Sequence, residues 1–207
     1  DDGIEFFGGT VNAKYLYCTG IRDDSFDWTD GWTGKGQFWV AQQRGDDADQ
    51  GIEADNNGES NDLLPRSNPT LYNLTLVGDP TGPESDTGML LREGTAATIR
   101  NAIVIGFNKA GLDVDQDATF TQANSGALSV RNSIFYDNAT AIEVDANGVV
   151  TSRTAGNFNL DSDGFDEGAW ARSAGADNAE IDPQLRAPYS LLSPNFQPVS
   201  GSPAVSG

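Results

Sequence analysis

Residues 51–54 read Gly51-Ile52-Glu53-Ala54, which is a small residue, an apolar residue, an acid and a second apolar residue. Closely similar phrases begin at five other positions, at intervals of 22 to 37 residues. The other five phrases are Gly3-Ile4-Glu5-Phe6, Ser25-Phe26-Asp27-Trp28, Gly88-Met89-Leu90-Leu91, Gly111-Leu112-Asp113-Val114 and Ala141-Ile142-Glu143-Val144. A repeat of this period indicates stacked structural units, because one unit cannot bury its apolar face alone.

Most phrases are followed by a second apolar strand, as at residues 71–77 and 99–105. Short strands at this spacing, together with 24 glycines, predict an all-β fold. We expect each repeat to form one coil of a single-stranded right-handed parallel β-helix, a solenoid with loop insertions whose coils stack about 4.8 Å apart. One domain is predicted for residues 1–207, with regular coils over about 1–150 and an irregular C-terminal third over about 151–207.

Stacked coils predict continuous columns of equivalent side chains. The second residues of the six phrases form the expected inward column, which contains Ile4, Phe26, Ile52, Met89, Leu112 and Ile142. Asn73, Asn101 and Asn132 share one position in the second strands. We expect these three to form an asparagine stack at a bend, because Asn tolerates unusual backbone angles.

The chain is strongly acidic, with 31 acidic and 12 basic residues, no His and a formal net charge of −19. Such a surface repels phosphate backbones and anionic headgroups, so we expect neither nucleic-acid binding nor membrane insertion of this segment. The charge suits a secreted protein, a divalent-cation binder or both. A strand phrase at the very start would leave an open coil edge, so we expect preceding coils or end-to-end stacking with another subunit.

Two groups of acids are candidate calcium ligands. Glu5, Asp27 and Glu53 belong to a predicted outward column in which like charges repel. Ca²⁺, with 6–8 oxygen ligands, would relieve the repulsion, and screening by Lys, Arg and water is the alternative. The second group is Asp161, Asp163, Asp166 and Glu167. Its spacing is similar to the first half of a calcium loop, although Arg172 stands where an EF-hand has Glu.

Trp32 and Trp39 are candidate carbohydrate-binding residues, because exposed aromatic rings stack on sugars. The alternative is that both belong to the core. No catalytic residue is predicted. Stacked acids supply the carboxylate pairs that glycoside hydrolysis needs, but the sequence selects no particular pair.

Several segments show a resemblance to known proteins in addition to their periodicity. They are residues 2–11, 24–32, 51–56 and 88–94, and the tail segment 194–198 followed by Gly201-Ser202-Pro203-Ala204. They resemble a group of secreted bacterial right-handed β-helix proteins, often called lipoproteins, within the pectin-lyase-like superfamily. The resemblance implies a β-helix fold, an extracellular or cell-surface location and further coils before this segment. The group has no agreed activity, so no catalytic residue carries over.

These observations predict a structural role more than an enzymatic one. We expect an extracellular scaffold or adhesion protein, with open coil edges that allow head-to-tail assembly into a fibre. The alternative is a carbohydrate-binding module or a polysaccharide-degrading enzyme of the β-helix type. A calcium-stabilised scaffold is a third reading.

Overall fold

A computed structural model describes residues 2–205 of the chain. Its strands and helices are, in chain order, β1 (Ile4–Phe7), β2 (Ala13–Thr19), β3 (Phe26–Thr29), β4 (Lys35–Gln42), β5 (Ile52–Ala54), β6 (Thr70–Val77), β7 (Met89–Leu91), β8 (Ala97–Ile105), β9 (Asp113–Val114), α1 (Asp117–Ser125), β10 (Leu128–Arg131), β11 (Ile134–Tyr136), β12 (Ala139–Val144), β13 (Val150–Ala155), α2 (Glu167–Ala171), β14 (Leu185–Ala187) and β15 (Asn195–Pro198). Neither helix has the length and apolar content that a membrane crossing requires.

Two parallel sheets organise the first two thirds of the chain. Sheet A has the strand order β1-β3-β5-β7-β9, and sheet B has the order β2-β4-β6-β8-β10, with β11 also paired to β8. From β1 to β10 the chain alternates between the sheets, so that each strand of one sheet is followed by a strand of the other. We call one such pair of consecutive strands a coil. The protein is therefore an all-β protein built on parallel sheets.

The first residues of the sheet A strands lie over one another. Phe26 is opposite both Ile4 and Ile52, and Ile52 is opposite Met89. Leu112 follows next to Met89, since the Met89 amide donates to the carbonyl of the preceding Gly111 at 3.1 Å. From Phe26 to Leu112 these side chains are fully buried. Each contributes about 1.5–3 kcal/mol through burial.

The prediction that Ile142 continues this column is wrong. Ile142 lies in β12, which pairs antiparallel with β13 instead of joining sheet A. The turn between them contains Asn147 and Gly148, and Gly148 has φ 76°, a sequence and geometry typical of tight hairpin turns. The place beside Leu112 is taken by Phe158, which forms a parallel bridge with it and is 3% exposed.

A second column follows the bend within the long strands of sheet B. The register places Tyr15, Phe38, Asn73, Asn101 and Asn132 at equivalent positions. All five have left-handed backbone angles, with φ between 54° and 63°. Asparagine adopts this conformation at little cost because its short polar side chain bonds locally. The three predicted asparagines therefore share one bend, and two stacked aromatic rings 5.2 Å apart extend their column.

The C-terminal segment returns to the outside of sheet B. Its two strands, β14 and β15, pair antiparallel. The Gln42 side chain donates to the carbonyls of Pro188 and Ser190 at 2.9 and 3.1 Å. Tyr17 packs edge-on against Phe196. These contacts fasten the segment to the first coils.

Candidate functional site

The outer face of sheet A carries a line of acids. Glu5 is opposite Asp27, and Asp27 is opposite Glu53. Leu90 interrupts the line, and Asp113 follows it. We call Glu5, Asp27, Glu53 and Asp113 the acid ladder. The repeat creates the ladder, because the residue between two inward apolar positions must point outward on a strand.

Asp27 is the most perturbed member of the ladder. Its side chain is only 7% exposed, and burial raises its pKa to about 9, with further increases from the charges of Glu53 and Glu5. Its Oδ1 atom is buried and has no hydrogen-bond partner among residues 2–205. A buried carboxylate oxygen without a partner costs free energy unless a proton or a cation neutralises the group.

Glu53 differs from Asp27 in having a cation beside it. Arg92 Nη2 lies 2.8 Å from a Glu53 oxygen, and Arg92 Nε lies 2.9 Å from Asp55 Oδ1. Burial still raises the pKa of Glu53 to about 7, because it outweighs the opposing effect of Arg92. The neighbouring carboxylates, by contrast, hold the pKa of Arg92 above its usual range despite its partial burial.

The acids around Asp27 are close enough to share an ion. Asp2, Glu5 and Asp27 each offer an oxygen within 4.8 Å of the others, and so do Asp2, Asp23 and Asp24. Burial, followed by the charge of Glu53, raises the pKa of Asp24 to about 8. An all-oxygen donor set with a buried unpaired oxygen fits Ca²⁺, a hard cation that prefers carboxylates and tolerates irregular geometry.

A second pair of buried acids lies at the other end of the ladder. Burial raises the pKa of Asp113 to about 6, partly offset by a hydrogen bond from Asn159. Asn159 follows Phe158, so this amide occupies the ladder position in the coil that the sequence analysis assigned to Ile142. Burial also raises the pKa of Glu167 to about 7, and nearby Asp113 is the first charge that adds to it.

The acids of the predicted calcium loop, residues 161–167, are not arranged as a close group like the acids around Asp27. Asp166 caps α2, since its Oδ1 accepts a hydrogen bond from the Ala169 amide at 2.7 Å. Asp163 Oδ1 accepts from the Phe165 amide at 2.9 Å, and Asp161 accepts from Asn159. Glu167 is buried with one oxygen unpartnered among residues 2–205. These four acids form no group of mutually close ligand oxygens in the described part of the chain.

The carbohydrate-binding prediction for Trp32 and Trp39 is wrong. Both side chains are fully buried. The Trp32 ring stacks on Phe6 at 4.2 Å between centroids, and its indole nitrogen donates to the Val11 carbonyl. The Trp39 indole donates to the Ala13 carbonyl at 3.2 Å. The aromatic cluster in the first coils is therefore core, and its polar atoms are satisfied by backbone.

Three residues of this region are not among the site residues predicted from the sequence. Asp2 and Asp24 precede strands of sheet A, and Arg92 follows β7. Asp2 and Asp24 belong to the acidic pairs that precede the first phrases, for which turn capping is a more common role than metal binding. For Arg92 the only signal is its position one residue after the strand and two residues after the uncharged Leu90.

A family model described as a pectate-lyase like beta helix domain matches residues 1–176. No curated protein and no solved structure gives a significant match to the chain.

Proposed function

This chain belongs to the pectate-lyase-like β-helix family, and we propose that it is an extracellular or cell-surface scaffold whose acid ladder binds Ca²⁺. The observation that carries the proposal is the cluster of Asp2, Glu5 and Asp27, each of which offers one carboxylate oxygen within 4.8 Å of the others. One Asp27 oxygen, Oδ1, is also buried and has no hydrogen-bond partner among residues 2–205. In this account Ca²⁺ supplies positive charge that residues 2–205 do not place beside Asp27.

The cation would act on stability. In-register carboxylates on neighbouring parallel strands repel each other, and their desolvation adds to the cost. Arg92 neutralises Glu53. Ca²⁺ beside Asp27 would neutralise Glu5 and Asp27 and cross-link the first two coils, because these two acids lie on different strands.

We also propose that the alternating strands form one right-handed solenoid. Support comes from the strand order, in which each parallel neighbour in sheet A is reached through a strand of sheet B. Crossover connections between parallel strands of one sheet are right-handed in about 98% of cases. An experimental structure with left-handed coils would contradict this.

End-to-end association follows from the same architecture. β1 ends the strand order of sheet A, and β2 ends that of sheet B. Such edges offer unpaired backbone groups to another strand, and a second copy stacked there would extend the scaffold into a fibre or an adhesive array. Sedimentation over about a hundredfold concentration range tests this. A molecular mass equal to that of one chain at every concentration would contradict the proposed association.

A second candidate function is carbohydrate binding or cleavage on sheet A. It is favoured by the in-register pair Asp27 and Glu53, whose pKa values are raised to about 9 and about 7. A protonated acid beside a second carboxyl is the arrangement that glycoside hydrolysis uses. Polysaccharide cleavage would be supported if the wild-type protein released reducing sugars from a panel of polysaccharides and the Asp27→Asn variant did not. The absence of any release by the wild-type protein would contradict the cleavage proposal.

Thermal unfolding in CaCl₂ and in a chelator tests the calcium proposal. We expect the wild-type protein to melt at a higher temperature in calcium, because a ligand that binds only the folded state stabilises it. The shift should disappear in Asp27→Asn and persist in Glu59→Gln, whose carboxylate is exposed and outside the ladder. Equal melting temperatures with and without the ion in the wild-type protein would retire the proposal.

A further inference from the structure

The outer face of sheet B, in the part of its strands that precedes the bend, carries the opposite charge from the acid ladder. Two neighbouring columns form this face: Lys14, Gln37, Tyr72, Arg100 and Arg131 in one, and Lys35, Thr70, Thr98 and Ser129 in the other. We call these nine residues the basic face. The alternate positions Leu71, Ile99 and Val130 are buried, so the face points outward. It contains no acid, although the chain has a net charge of −19.

The cations of this face differ from most others in the chain. The paired basic residues all lie elsewhere: Arg22, Arg44, Arg66, Arg92, Lys109, Arg153 and Arg172. Within residues 2–205, none of the four cations of the basic face has an ion pair or a side-chain hydrogen bond, and Arg100 Nε is also buried. Unpaired cations are therefore concentrated on one face of sheet B, although acids outnumber basic residues in the chain.

Arg100 and Arg131 are directly opposite each other on neighbouring strands. Like charges at this spacing, about 4.8 Å between strands, destabilise a sheet. An anion shared by both guanidinium groups would remove the repulsion. A carboxylate has two oxygens, which match one guanidinium fork. A sulfate or phosphate monoester has three terminal oxygens and is able to accept hydrogen bonds from both.

We propose that the basic face binds a linear polysaccharide that carries sulfate or phosphate monoesters. Arg100 and Arg131 hold one ester between them. Tyr72, in register beside Arg100, offers an aromatic surface to the adjoining sugar ring. Lys14 and Lys35 lie further along the face and attract a second ester. Nucleic acid fits less well for two reasons. Its diester phosphates have only two free oxygens each, and its dense negative charge is repelled by the acidic surface of the protein outside the basic face.

Binding of immobilised dextran sulfate and dextran phosphate tests the proposal, with unmodified dextran, alginate and duplex DNA for comparison. We expect the wild-type protein to bind an ester-bearing dextran, and to bind it less in high salt, since ions screen exposed charges. Combined Arg100→Gln and Arg131→Gln should weaken binding at least tenfold. The matched control is Arg186→Gln, which removes another cation, outside the basic face, and should leave binding unchanged.

Several results would overturn the assignment: binding to neither ester, equal binding to unmodified dextran, tighter binding to alginate or to duplex DNA, or unchanged binding in the double variant. If the double variant fails to fold, combined Lys14→Gln and Lys35→Gln, both at exposed positions, should weaken binding several-fold. These readouts do not depend on calcium, so failure here is distinguishable from failure of the acid-ladder proposal.

Discussion

Glu53 lies directly opposite Asp27 in the register of β3 and β5, yet the two carboxyl groups have different partners. Arg92 Nη2 is 2.8 Å from Glu53, whereas Asp27 forms no ion pair within residues 2–205. The chain itself therefore neutralises Glu53. Asp27 requires a proton or a bound cation, and this difference between the two neighbours is the basis of the predictions on pH and stability.

Without divalent cations, stability should fall as pH rises. The folded state raises the pKa of Asp27 from 3.8 to about 9 and that of Asp24 to about 8. Protons thus bind more tightly to the folded state, so the stabilisation is complete below about pH 4 and is lost as pH rises towards 9. Melting temperatures in a chelator should decrease across this window. Calcium should flatten the decrease, and a flat profile in the chelator would contradict the buried state of these acids.

Replacing Arg92 should destabilise the protein most at neutral and alkaline pH. Arg92→Gln leaves Glu53 and Asp55 without their cation. The Arg92 side chain is 31% exposed, so we expect a loss of about 2 kcal/mol, between the costs of breaking a surface pair and a buried pair. Denaturant unfolding at pH 8 measures this loss.

The control for this variant is Arg22→Gln. The Arg22–Asp47 pair is exposed, so its removal should cost less than about 1 kcal/mol. Equal losses in the two variants would mean that the ion pairs of Arg92 add nothing beyond an ordinary surface pair.

The bend in sheet B should tolerate glycine better than alanine. Asn101 has φ 57°, a conformation that costs an ordinary residue about 1–2 kcal/mol. Asn101→Ala should therefore lower the free energy of unfolding by about 1 kcal/mol, whereas Asn101→Gly should lower it less. Paired denaturant titrations compare the variants. Alanine as stable as glycine would show that the left-handed conformation contributes little.

Replacing two neighbouring aromatic residues of β4 by alanine should lower the free energy of unfolding by very different amounts. Trp39 is fully buried and Phe38 is 40% exposed. Trp39→Ala should cost about 3–5 kcal/mol because it leaves a cavity in the core, and Phe38→Ala should cost less than about 1.5 kcal/mol. Thermal or denaturant unfolding decides, and a mild effect of Trp39→Ala would contradict its placement in the core.

The inward column from Ile4 to Leu112 was predictable because each phrase repeats the same alternation of apolar and polar residues. The error at Ile142 arose because Asn147-Gly148 directs a hairpin that overrides the phrase. Phe158 was missed because its phrase has Asn159 in place of the acid and lacks a leading glycine. Local turn chemistry therefore decided where the parallel coils end.

The acid ladder was also predictable from the repeat, but its electrostatics were not. Whether Asp27 is exposed or buried depends on the residues that pack around it in the folded chain, and the position of Arg92 relative to Glu53 depends on the register of strands far apart in sequence. Similarly, Trp32 and Trp39 carry no local signal that distinguishes a core ring from a surface ring. Burial is a property of the packed structure, which a single phrase does not encode.

Crystals grown in CaCl₂ and measured at a wavelength with anomalous signal from calcium would show directly whether Ca²⁺ binds beside Asp27. We expect an anomalous peak about 2.3–2.6 Å from Asp27 Oδ1, with oxygens of Glu5 and Asp2 also in the coordination sphere. Crystals of Asp27→Asn should lack the peak. Well-ordered wild-type density around Asp27 with no such peak, at millimolar calcium, would contradict the claim.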